Sequence, residues 1–155
     1  MASINRGVEA APDSVSTSAV EVCAKAAAKA GFSYTSTVST AVGPEREIAV
    51  AVAIAMAESS CNPSAQLADG PTNGCPDGSV DRGLWQVNSC YQPEVSNACA
   101  YQVQCNPDAA WNVSDHGADW TPWSTFTNGA WENYISTAKL CHFRLFLPIG
   151  GPSGR

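Results

Sequence analysis

The sequence predicts an α+β fold, mainly helical, with a small antiparallel β-hairpin sheet in the middle. Three observations predict it. Apolar residues recur at helical spacing near both ends of the chain. A central run, Ile48 to Ala57, is apolar without interruption. After it, the pairs Asp69-Gly70, Asn73-Gly74 and Asp77-Gly78 fall within ten residues. Asn-Gly and Asp-Gly tolerate the positive φ that tight hairpins demand, so a small sheet is expected there.

The elements follow in order. Residues 1–15 lack the cationic start and apolar stretch of a secretory signal and read as a flexible leader. From Ser16 to Ala30 the chain is alanine-rich, with Val20, Cys23, Ala27 and Ala30 at helical spacing and Gly31 as a stop. A Ser/Thr-rich connection runs from Ser33 to Thr40. The central run also alternates like a strand, and its flanks decide the matter. Pro44 suits a first helical position, Glu45 and Glu47 suit a first turn, five alanines favour helix, and Asn62-Pro63 ends it. A helix from Pro44 to about Ser59 is expected, apolar on every side and therefore buried. Residues 90–119 read as loops with short helices. Helical spacing returns from Ala130 to Phe146 through Trp131, Tyr134, Ile135, Ala138, Cys141 and Leu145. One domain over 16–147, followed by a loose tail at 148–155, is the expected organisation.

Charge narrows the function. The chain carries 8 Lys+Arg against 14 Asp+Glu, a formal charge of −6. It lacks the cationic surface that nucleic acid requires. Between Ile48 and Ala138 stand nine carboxylates and one base, Arg82, so any site there is acidic. The ten-residue apolar run is too short to span a bilayer. Seven cysteines indicate disulfides and an oxidising destination: secreted, extracellular, or in a virion component. The spacing leaves the pairing open. The expected set is Cys61–Cys75, Cys99–Cys105 and Cys23–Cys141, with Cys90 odd and Cys90–Cys99 as a rival bridge. His116, Cys141 and His142 make no tetrahedral ligand set and no C-x-x-C occurs, so neither metal nor cofactor is expected.

Two carboxylates stand out. Glu58 lies in the last turn of the apolar helix, where burial and the negative helix end both disfavour its charge. That is the environment of a general acid. Asp81 lies in a polar hairpin beside Arg82 and is expected to stay ionised. Carboxylates in unlike surroundings can divide the work of glycoside cleavage, one donating a proton and the other supporting the sugar cation.

These residues carry a resemblance. The segments AMAESSCNPSAQ, around Glu58, and DGSVDRGLWQVNS, from Asp77, are similar to the catalytic core of the lysozyme superfamily. The second resembles the hairpin of chicken-type lysozymes. Glu58-Ser59 with Asn62-Pro63-x-Ala65, and Gly83-Leu84-Trp85-Gln86-Val87, resemble bacterial lytic transglycosylase and phage lysozyme-like domains. Trp120-Thr121-Pro122-Trp123-Ser124-Thr125-Phe126 matches a segment of that bacterial group, in which a later tyrosine hydroxyl holds the glutamate. In the comparable stretch Phe126 offers no hydroxyl.

The resemblance implies a lysozyme-like fold and a peptidoglycan-cleaving glycosidase. Glu58 would be its general acid and Asp81 its second carboxylate. Trp85, Gln86, Asn88, Trp120, Trp123 and Asn128 would contact substrate. It implies a monomer acting on peptidoglycan or a related N-acetylglucosamine-containing glycan. A lytic transglycosylase forming 1,6-anhydro products is the alternative, and a catalytically inactive glycan-binding or structural module is a third reading. Bacterial walls are anionic, so the acidic groove is expected to work best at acidic pH or with moderate salt.

Overall fold

The computed structural model describes residues 15–146. The expected leader, up to residue 14, and the expected tail at 148–155 lie outside the described residues. Helix α1, Thr17–Ala30, begins and ends where its caps dictate. The Ser16 hydroxyl accepts from the Ala19 N–H at 3.2 Å, and Gly31, at φ 111°, turns the chain out of the helix.

The next segment corrects two expectations. Where a connection was expected, β1 (Thr37–Thr40) and β2 (Gly43–Arg46) form an antiparallel ribbon, with Thr37 opposite Arg46 and Thr40 opposite Gly43. Thr37, Val38 and Thr40 are β-branched and suit a pleated surface. Pro44 therefore sits in β2, opposite Ser39, rather than at a helix start. A two-stranded ribbon has an outer edge on each strand, where a residue without an N–H is tolerated. Helix α2 consequently runs Glu47–Ser59.

Every residue of α2 from Glu47 to Glu58 is buried. Helix α1, the terminal helix α6 (Ile135–Phe146), the short α5 (Ser124–Thr127) and the ribbon all pack against it. Its alanines let these neighbours approach, while Val50, Val52, Ile54 and Met56 fill the space between them. The Glu47 carboxylate is not left bare, because Oε1 accepts from the Ser33 N–H at 2.8 Å.

The small sheet has the order β3-β4-β5: Gln66–Asp69, Ser79–Arg82 and Val87–Asn88, all antiparallel. Its register sets Leu67 opposite Asp81, and Asp81 opposite Asn88. Asp69-Gly70 closes β3 and Asp77-Gly78 opens β4, so the turn signals bracket a long loop instead of a two-residue turn. Gly78 has φ 80°, and a Cβ there would come within 2.7 Å of the Asp69 carbonyl.

Two short helices, α3 (Asn97–Ala100) and α4 (Asn106–Val113), follow in the region expected to hold them. The last expected helix is split. A 3-10 turn at Ala130–Asn133 follows Gly129, at φ 83°, and α6 starts only after Tyr134. Under the groove Phe32 is ringed by aromatics, with Trp111 at 5.1 Å, Trp120 at 5.4 Å and Trp85 at 6.2 Å between centroids.

Only one expected disulfide, Cys99–Cys105, is present as expected. Cys23 on α1 joins Cys61, because α1 packs on α2 and meets the residues just after its end (Cα–Cα 5.6 Å). Cys75, in the β3–β4 loop, joins Cys90 just beyond β5 (Cα–Cα 6.0 Å). Cys141, not Cys90, is the free thiol among the described residues, buried between α1 and α6. Burial pushes that thiol above its ordinary value, and Glu21 adds to the effect, while Arg144 and Lys25 oppose it. Peptide mapping without reduction is therefore expected to yield bridges 23–61, 75–90 and 99–105. Iodoacetamide at pH 8 should label Cys141 only after denaturation, and rapid native labelling would contradict this placement.

Candidate active site

The carboxyl of Glu58 is delivered by the end of α2. The helix stops at Ser60 and Cys61, two successive non-glycine residues in the left-handed region, at φ 53° and 58°. Backbone strain of this kind concentrates at functional sites. The Ser59 hydroxyl donates to the Leu84 carbonyl at 2.7 Å, fastening the helix end to the turn that follows β4. Glu58 itself is 7 % exposed. The Thr125 hydroxyl donates to Glu58 Oε1 at 2.6 Å, from the N-terminal turn of α5. So a hydroxyl does reach the glutamate from the Trp120–Phe126 segment, supplied by the residue before Phe126.

The turn at 83–86 is held from outside by Asn106. Its Oδ1 accepts from the Trp85 N–H at 2.9 Å. Its Nδ2 donates to the Arg82 carbonyl at 2.9 Å and the Ala100 carbonyl at 2.8 Å. Gly83, at φ 74°, lies directly against this amide, and a Cβ there would clash with Asn106 Nδ2 at 2.6 Å. Gln86 adopts φ 48°, and its Nε2 donates to the Gly83 and Ala65 carbonyls at 2.9 and 3.1 Å.

Asp81 is 1 % exposed, although its hairpin reads as polar. Asn88 Nδ2, directly across the ladder, donates to Asp81 Oδ1 at 2.8 Å and to Ser79 Oγ at 3.0 Å. Asn88 Oδ1 accepts from the N–H groups of Cys90 and Tyr91. Arg82 alternates away from Asp81 along β4. Its guanidinium donates to the Val87 and Val95 carbonyls and to Asn97 Oδ1. Burial pulls Arg82 below its ordinary value, against the opposing influence of Tyr101, Asp81 and Glu94.

A shallow, solvent-open groove lies along the Gln86–Asn88 edge. Gln86, Val87, Asn88, Tyr91 and Gln92 line one side, with Val113, Pro122 and Trp123 on the other. Trp123 and Thr125 tie this groove to Glu58, since one lines it and the other, two residues on, bonds the carboxyl. Of the tryptophans expected at substrate, only Trp123 lines the groove. Its indole donates to the Trp85 carbonyl at 2.8 Å. Trp85 is fully buried with its indole on the Ala51 carbonyl, and Trp120 is buried with its indole on the Gly117 carbonyl. Both rings lack a solvent face. Asn128 lies in the turn after α5, where its Oδ1 caps the Ala130 N–H. Thr125, Asn106 and Ser59 were missed as site residues by sequence reasoning. Only the Asn-Pro at 106–107, a helix-start signal, hinted at one of them.

A mainly helical domain with a carboxyl seated at the end of a buried helix, which is fastened to the turn of a small antiparallel sheet, belongs to the lysozyme class of architectures. The lysozyme-like domain family model matches residues 24–125. The chain belongs to that family. No curated protein and no solved structure matches it. That membership points to a lytic enzyme acting on peptidoglycan. Among the described residues no group of His, Cys, Asp and Glu could hold a metal ion, and no helix is long and apolar enough to cross a membrane.

Two substitutions test this arrangement. Asn106→Ala removes three hydrogen bonds to backbone groups and is expected to cost about 3 kcal/mol in urea unfolding. Thr125→Val preserves shape and removes only the hydroxyl. It should lower kcat on the order of 10-fold or more with little change in Tm. Unchanged turnover would show that the hydroxyl does not orient Glu58.

Proposed function

We propose that the protein is a muramidase, hydrolysing the β-1,4 bond between N-acetylmuramic acid and N-acetylglucosamine with Glu58 as general acid. The observation that carries this reading is the seat of Glu58: a carboxyl at the end of a helix with no solvent face, oriented by Thr125. Glu58 donates its proton to the glycosidic oxygen as the bond breaks. Asp81, fixed by Asn88, supplies negative charge toward the sugar cation, and water completes the hydrolysis. Trp123 offers an apolar wall to the sugar opposite the Gln86–Asn88 edge. Because the side-chain amides of Gln86 and Asn88 already donate to the protein, their service is to hold the edge in shape.

A second reading, lytic transglycosylase, is favoured by one observation. Asp81 is almost sealed from solvent, which suits electrostatic support better than covalent attack on a sugar. Without covalent capture, the muramic 6-hydroxyl can take the place of water and close a 1,6-anhydro ring.

Mass spectrometry of a peptidoglycan digest between pH 4 and 8 separates the readings. Hydrolysis gives reducing muropeptides, and transglycosylation gives products lighter by one water. Glu58→Gln is expected to abolish either activity, whereas Asp81→Asn should reduce hydrolysis while leaving the fold intact. The excess of carboxylates between residues 48 and 138 should give an optimum below neutrality or activation by moderate salt. Retention of full activity by Glu58→Gln, or binding without turnover by the unaltered protein, would overturn the enzymatic assignment.

A further inference from the structure

Exposed cations and exposed apolar side chains gather on α1, β2 and α6, of which α1 and α6 pack together. Among the described residues the solvent-facing cations are Lys25 and Lys29 on α1, Arg46 on β2, and Lys139 and Arg144 on α6. Arg82 is buried. The large apolar side chains most open to solvent lie on or against the same elements. Leu140 is 60 % and Phe143 63 % exposed on α6. Tyr34 stacks on His142, and Phe146 packs at a tilt against both.

The helical spacing organises them. Lys139, Leu140, Phe143 and Arg144 stand at i, i+1, i+4 and i+5, forming one outward stripe with an apolar centre and a cation at each edge. Two carboxylates accompany the five cations: Glu21, 3.9 Å from Lys25 Nζ, and Glu45, 2.6 Å from Lys139 Nζ. The face is therefore net positive in a protein that is net negative. Burial and Arg46 both hold His142 below its ordinary value, so it adds no charge near neutrality. Between α1 and α6 a cavity of about 120 Å³ adjoins the stripe, lined by Val20, Leu140, Cys141, Leu145 and the oppositely charged Glu21 and Arg144.

We propose that the α1–α6 face docks peripherally on an anionic lipid bilayer. Leu140 and Phe143 enter the boundary between headgroups and acyl chains, and Lys29, Arg46 and Arg144 meet lipid phosphates. The apolar centre argues for a bilayer over a purely polar polyanion, which would have nothing to place against Leu140 and Phe143. A second copy fits poorly. A two-fold contact would set cation against cation, and a few apolar side chains fall well short of the roughly 1,200 Å² that a stable interface buries.

Flotation of the full chain with vesicles tests this. Vesicles of equal phosphatidylglycerol and phosphatidylcholine should bind at least tenfold more protein than vesicles of phosphatidylcholine alone. Leu140→Glu/Phe143→Glu should lower that binding at least tenfold, and Lys29→Glu/Arg144→Glu should lower it several-fold. Near-UV circular dichroism should match the unaltered protein in both variants. If the apolar pair proves misfolded, the charge pair alone decides. Equal binding to both vesicle types, no binding by the full chain, or binding untouched by the decisive variant would overturn the proposal. So would sedimentation showing a dimer that these variants dissociate.

Discussion

A helix with no solvent face cannot carry a carboxylate along its length, and α2 carries its two at its ends. The rest of the structure depends on this constraint. Burial on all sides obliges the chain to wrap α1, the β1–β2 ribbon, α5 and α6 around one apolar rod. Each terminal carboxylate must then be met by a neighbour. Glu47 is met by the Ser33 N–H, and Glu58 by the Thr125 hydroxyl. One end is a structural junction, while the other, fastened to the turn after β4, carries the proposed acid.

Local physics made much of this legible in the sequence. Ser16 and Gly31 bound α1 because capping is written in adjacent residues. The burial of α2 followed from its lack of any polar stripe, and Glu58 stood out because it ends that helix. What stayed hidden depends on partners far along the chain. Glu58 and Thr125 are 67 residues apart, and Trp85 and Asn106 are 21 apart. Tryptophans look alike in a sequence whether they floor a groove or face it. The disulfides followed the packing of α1 on α2, which cysteine spacing does not encode. Pro44 misled because a proline suits a helix start and the edge of a ribbon equally.

The charges are sorted in space more completely than in sequence. Acids dominate the sheet and the loops around the groove, while the exposed cations gather on α1, β2 and α6. A protein with its charges sorted in this way has a preferred orientation at a charged boundary. Long-range fields then act on its approach before any contact forms.

The bridge from Cys23 to Cys61 closes a span of 38 residues and lands three positions beyond Glu58. Of the three crosslinks it is the one that joins distant elements, and its junction includes the left-handed pair Ser60 and Cys61. Oxidation therefore completes the mounting of the acid itself, not merely the durability of the domain. In a reducing cell interior the same chain would hold that mounting by packing alone. The maturation of its chemistry is thereby linked to the redox state of the place where it comes to rest.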